Sequence, residues 1–180
     1  MRAAFVLAVT AGVFVACGGS DPSGSPPSTT TTKSQDIEMT AADFPNIQTM
    51  TKVDSYFVAN KLGHLSEALA AARSPKGGKF PVGTLVQLVP QEAMVKRRAG
   101  FNPATHDWEF FFLDVSPTGT KIITRGTDQV VNRFGGNCAS CHLAAAPKWD
   151  MICKHTHGCA PLPVGDDVIA AVQLSDPRPR

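Results

Sequence analysis

The sequence predicts an α+β domain: a mainly antiparallel β-sheet with flanking helices and a reactive Cys/His motif near its C-terminal end. Two observations carry most of that expectation. Short aromatic and β-branched runs, separated by turn residues, fill the middle of the chain. Helical patterns stand before and after them, and no internal repeat breaks the order.

Residues 1–35 stand apart from that fold. Arg2 followed by the apolar run 3–16 reads as an export signal, too short to span a bilayer. It ends in Phe14-Val15-Ala16-Cys17-Gly18, which resembles a bacterial lipobox, with Cys17 lipidated and becoming the mature N-terminus. An ordinary cleaved signal is the alternative. Residues 18–32 are nearly all Gly, Ser, Pro and Thr, a composition that cannot bury apolar surface and behaves as a tether. The expected organisation is a signal peptide at 1–16, a lipidated Cys17 with its tether through 35, and a folded domain at 36–180. An exported protein held by lipid on the periplasmic face of a bacterial membrane, or on the cell surface, follows.

Within the domain, 54–60 alternates weakly around Tyr56, Phe57 and Val58 and reads as a strand. Leu65, Ala68, Leu69 and Ala72 recur at i, i+3, i+4 and i+7, the apolar stripe of an amphipathic helix over 64–73, closed by Gly77-Gly78. Residues 84–89 form the next strand and 91–98 its hairpin partner. The heaviest strand is 107–115, carrying Trp108, Phe110, Phe111 and Phe112; Pro117-Thr118-Gly119 turns it into another at 121–125. Gly135-Gly136-Asn137 then opens a helix, with Asn137 as N-cap.

Net charge is +2, and no basic run interleaves with aromatics, which excludes nucleic acid as a partner class. The Lys96-Arg97-Arg98 cluster reads as a solvated strand or turn edge, or alternatively as a partner for acidic groups of a cofactor.

The most specific motif is Cys138-Ala139-Ser140-Cys141-His142. A helical turn places positions i, i+3 and i+4 on one face. Two thiols there can form thioether bonds to a haem's vinyl groups while His142 ligates the iron. With 5 Cys and 5 His in 180 residues, such a pattern arises by chance about 0.004 times. The competing reading is a zinc knuckle borrowing Cys153, His155, His157 or Cys159, but adjacent Cys141 and His142 chelate one metal awkwardly. Cys153 and Cys159 remain after lipid and haem are assigned. In an oxidising compartment they are expected to close a short disulfide loop, although a redox-active pair is a second possibility.

Further segments resemble the cytochrome P-460 / cytochrome c′-beta family. They are Phe80-Pro81-Val82-Gly83-Thr84, then Gly100-Phe101-Asn102-Pro103 with Asp107-Trp108, the motif at 137–142, and Ala144-Ala145-Ala146 with Trp149-Asp150. The resemblance spans roughly residues 54–152. It implies a small exported mono-haem c-type cytochrome on an antiparallel sheet, with Cys138 and Cys141 as thioether residues and His142 as proximal ligand. The hydroxylamine-oxidising members of that family carry a cross-linking lysine four residues beyond the Gly-Thr threonine, and Leu88 stands there in this chain. Lys96 on the neighbouring strand is the remaining candidate for that role.

Without the lysine, the resemblance implies an apolar distal pocket, for which Leu88, Phe101, Phe110 and Phe112 are the candidates. Five-coordinate iron beneath such a pocket admits neutral diatomics such as nitric oxide and disfavours charged ligands. Electron transfer is the alternative, with Met94 as a remote sixth ligand and Met151 as packing. A hydroxylamine- or peroxide-converting enzyme needs a distal acid or base, drawn from Glu109, Asp114 and Arg133. Partners are thus a small gas or a redox protein, and the membrane through a lipid anchor; the resemblance also implies a homodimer, a state in which members of that family often occur.

Overall fold

The computed structural model describes residues 36–133 and 135–180; the expected signal at 1–16, Cys17 and the expected tether lie outside the described residues. The predicted α+β class is correct. Six strands form one antiparallel meander in chain order: β1 (Thr51–Val53), β2 (Tyr56–Asn60), β3 (Thr84–Gln87), β4 (Glu92–Lys96), β5 (Trp108–Ser116) and β6 (Gly119–Gly126). Three helices flank it: α1 (Leu65–Arg73), α2 (Cys138–His142) and α3 (Asp166–Leu174). Among the described residues no helix is long and apolar enough to cross a membrane.

Side-chain alternation gives the sheet two apolar faces, each with its own core. Val58, Val86, Met94 and Phe110 are successive cross-strand partners and belong to one buried cluster with Trp108, Phe80, Ala68 and Ala72 of α1, and Cys138 and Ala139 of α2. The opposite face carries Phe57, Leu85, Val95, Phe111 and Leu113 and is covered by Ile37, Met39, Phe44 and Ile47 of the N-terminal arm. Helices therefore cover one face and an irregular arm the other. The arm's covering role had no periodicity to announce it, because its apolar residues sit in 3₁₀ turns and extended backbone.

The chain after α1 turns back sharply at Gly77, whose φ is +84°. A Cβ at that position would lie 2.1 Å from the Lys148 carbonyl oxygen, so the close approach of these two backbones requires glycine. The Gly78 amide donates to the same carbonyl at 2.9 Å, tying the end of α1 to the segment that follows α2.

Lys96 and Arg97 correct the sequence reading of a solvated edge. Both are buried, Lys96 donating to Asp150 at 2.7 Å and Arg97 pairing with Asp36 and Glu109. Three carboxylates distant in sequence provide the counter-charges that make burial tolerable, and no local pattern reveals them. Glu109 also accepts from Arg125 at 2.7 Å, which makes it part of this structural network, and Asp114 is exposed near the β5–β6 hairpin.

The tail beyond the motif is more ordered than its prolines suggest. Gln173 on α3 donates to the carbonyls of Ser55 and Leu88 at 2.6 and 2.8 Å. Arg178 donates to the Phe44 carbonyl at 2.9 Å and pairs with Asp176, whose other contacts include the Ile47 amide at 2.9 Å. Burial alone would raise the Asp176 pKa, but hydrogen bonds from Arg178 and Ile47 outweigh it and hold the carboxyl below its ordinary value. Asp36 and Asp43 are depressed in the same way by Arg97 and Lys61. A depressed carboxylate contributes stability that is complete above the unfolded pKa, about 3.9, and is lost as pH falls through the folded value. Thermal denaturation at stepped pH should therefore show a plateau above about pH 5 and a decline below pH 4. An Asp176→Asn variant should decline less steeply over that range.

Candidate functional site

The motif residues are held at the wall of a cavity of about 410 Å³, within the range of small-molecule pockets. The helical turn α2 starts where Asn137 predicts: its side chain accepts from the Ser140 amide at 2.9 Å. A second bond from Asn137 to the Asp128 carbonyl and one from the Cys138 amide to the Val130 carbonyl fasten the turn to the strand-like segment before it. Cys138, Cys141 and His142 all line the cavity. Cys138 is buried, Cys141 is exposed, and both are free thiols. Burial, and then the Glu92 carboxylate nearby, push the Cys138 thiol up to about 12.

His142 is fixed by backbone. Its Nδ1 lies 2.7 Å from the Met151 carbonyl oxygen, and its ring packs 5.4 Å from that of Phe110. Desolvation lowers its pKa, although the Met151 carbonyl acts against that, so the ring is neutral at pH 7. A neutral imidazole donating from Nδ1 to a carbonyl carries its lone pair on Nε2, the arrangement in which protein imidazoles ligate metals. Met151 thus serves as packing, as its sequence position suggested, and its carbonyl does more.

That carbonyl is aimed by a specific turn. Asp150 and Met151 both adopt left-handed backbone, φ +48° and +67°, a conformation non-glycine residues rarely take. Asp150 is held there by Lys96, by the Phe80 amide at 2.9 Å, and by the Trp108 indole donating to its carbonyl at 2.7 Å. Lys96 therefore acts behind the site, not in it.

The remaining candidates divide. Leu88, Met94 and Phe110 line the cavity with Tyr56, Val86 and Ile152. Phe112 packs against the same core cluster without lining the cavity. Phe101 lies elsewhere, its ring 4.5 Å from the Arg97 guanidinium. Arg133 is exposed, and its amide donates to Glu92 at 3.2 Å. Glu92 was missed by sequence reasoning, although alternation places it on the face of Met94. Its carboxyl pKa is raised by burial, against the opposing pull of Arg133.

Cys153 and Cys159 form a disulfide, with Cα atoms 5.7 Å apart, and their loop closes one side of the cavity along with Leu162, Val164 and Ile169. That bond removes both sulfurs from any zinc set, and no grouping of three or more metal-ligating side chains occurs among the described residues. His157 is buried, its Nδ1 at 2.7 Å from the Ile152 carbonyl and its ring stacked on Trp149.

A covalent haem fits these donors. Two free thiols and a neutral imidazole with an available Nε2 share one wall of an otherwise largely apolar cavity. No protein-family model matches the chain, and no curated protein and no solved structure shows significant similarity to it.

Proposed function

We propose that this chain is an exported, lipid-tethered mono-haem c-type cytochrome of the cytochrome P-460 / cytochrome c′-beta kind, binding nitric oxide or similar small gases. The observation that carries the reading is the bond between His142 Nδ1 and the Met151 carbonyl, on the same cavity wall as two free cysteines. Cys138 and Cys141 would attach the ring and His142 would ligate the iron, which supplies an open coordination position for a diatomic ligand. Leu88, Phe110 and Met94 keep the cavity apolar, so a neutral gas loses no hydrogen bonds on entering while an anion would. Leu88 at the cavity wall, in the place of the family's cross-linking lysine, argues against hydroxylamine oxidation. Lys96, engaged with Asp150, argues against it as the substitute.

Electron transfer is the second reading, favoured by one observation: Met94 is buried and lines the same cavity as His142. Optical spectra of the domain, matured in a host competent for c-type haem, separate the two. A high-spin ferrous spectrum that changes with nitric oxide is expected. A low-spin ferrous spectrum indifferent to nitric oxide would transfer the assignment to an electron carrier, and a chain without covalent haem would overturn both.

A further inference from the structure

We propose that the disulfide-closed loop is a carboxylate-binding mouth, with Lys154 and His155 holding the propionates of the bound tetrapyrrole. This rests on the haem reading above. Charged residues on the cavity wall are few: Glu92 on β4, Lys154 and His155 on the loop, and Asp166 at the start of α3. Both of these basic side chains are therefore on one short segment, where closure of the ring between Cys153 and Cys159 restricts them. Lys96 and Arg97, the other basic residues of interest, are committed to Asp150, Asp36 and Glu109.

The placement suits a ring attached at its vinyl edge. Cys138 lies on the side of Glu92, whose carboxylate influences its thiol. Lys154 lies on the side of β2, with its ammonium 5.4 Å from the Tyr56 ring centroid. Strands β2 and β4 are two strand spacings apart, roughly 9–10 Å. A porphyrin bears its propionates on the edge remote from its vinyl groups. The loop starts beside Cys141, with Cys153 Sγ 3.9 Å from the Cys141 carbonyl oxygen, so it is the reach of the Lys154 side chain toward Tyr56 that would carry its ammonium away from the vinyl edge.

The partners these cations now have are replaceable. Lys154 pairs with Asp54 and lies 3.5 Å from the Ala72 carbonyl; His155 pairs with Asp166 at 3.4 Å. The Asp54 and Asp166 side chains are 67% and 76% exposed, and ion pairs to such carboxylates contribute little. Lys154 itself is only 20% exposed, so its ammonium is already restrained at the cavity wall. Among the described residues that line the cavity, Lys154 and His155 are, besides His142, the basic side chains such a propionate would meet.

The test compares haem-loaded wild type with Lys154→Gln, His155→Gln and Lys154→Arg by spectroelectrochemistry across pH. Removing a cation beside the ring disfavours the reduced state, so the midpoint potential of Lys154→Gln should fall. The propionate, losing its counter-charge, should titrate at higher pH and make the potential pH-dependent where the parent's is flat. His155→Gln, which removes the second basic side chain of the loop, should also lower the potential, and Lys154→Arg should restore parental behaviour. Asp54→Asn, which removes the competing carboxylate, should leave the potential unchanged or raise it. Parental potentials and pH profiles in both Gln variants, with haem attached normally, would refute the mouth and leave the cytochrome reading intact. Absence of covalent haem in the wild-type chain would refute the reading beneath it.

Discussion

Asp150→Ala is expected to lower the unfolding free energy by about 3–5 kcal/mol and to free His142 from its fixed orientation. The Asp150 carboxylate is 3% exposed, accepts from Lys96 at 2.8 and 2.7 Å, and accepts from the Phe80 amide. Truncating it leaves a buried ammonium with the His106 carbonyl, at 2.7 Å, and the Trp108 ring, 5.1 Å away, but without its buried counter-charge. Removing one member of a buried pair costs more than the pair contributes, because the desolvated charge is left behind.

The pH dependence distinguishes this from simple loss of packing. Burial already lowers the Lys96 pKa, with Asp150 acting in the opposite direction. Without Asp150 the folded-state pKa falls further below the unfolded value, about 10.4, so the unfolded chain binds more protons in between. Stability of the variant should therefore rise with pH toward that value, and its deficit against wild type should shrink. Asp150→Asn retains the shape and an acceptor for Phe80 but not the charge, and should show the same slope. Denaturant titrations at neutral and alkaline pH measure both; a deficit under 1 kcal/mol, or one independent of pH, would sink the argument. The link to function is the left-handed turn at Asp150 and Met151: once it relaxes, the Met151 carbonyl leaves His142, and NMR should show the imidazole tautomer no longer fixed.

This dependence also shows what the sequence could and could not disclose. Strands with strong aromatic and β-branched content, such as β5, were legible because their apolar pattern is local. The motif face of α2 was legible because i, i+3, i+4 geometry needs no tertiary information. The three-residue β1 was not, since Thr51, Lys52 and Val53 acquire strand form only by pairing with Val58, Phe57 and Tyr56. Nor was α3 anticipated behind Pro161, Pro163 and Gly165, although Asp166 and Asp167 in its first turn suit a helix start. Among site residues, Leu88 and Phe110 reach the cavity while Phe101 is drawn to Arg97, a choice made by a buried cation that sequence alone had placed in solvent. Glu92 went unremarked, and Tyr56 was read only as a strand residue, because a cavity wall is assembled from several strands and belongs to none of them.

Phe110→Ala is the other large effect expected, again about 3–5 kcal/mol of stability, because a fully buried aromatic is truncated. Phe110 is 2% exposed, opposite Met94 in register, and against the His142 ring. The surrounding sheet cannot collapse into the space, so the lost volume is added to the cavity. On the proposed reading, water then gains access to the cavity beside the His142 ring and can solvate an anion that the wild-type cavity excludes. Azide or fluoride titration of the ferric, haem-loaded protein should show weak or no binding in wild type and at least tenfold tighter binding in the variant. Met94→Leu is the matched control: a near volume-conserving change costing under about 1.5 kcal/mol, with anion binding left at the wild-type level. Should Met94→Leu instead produce the high-spin spectrum and the anion affinity, Met94 is the group that occupies the sixth position. The cavity would then serve electron transfer, with Phe110 doing no more than support the methionine. The two substitutions thus assign the gatekeeping role to one of two facing residues.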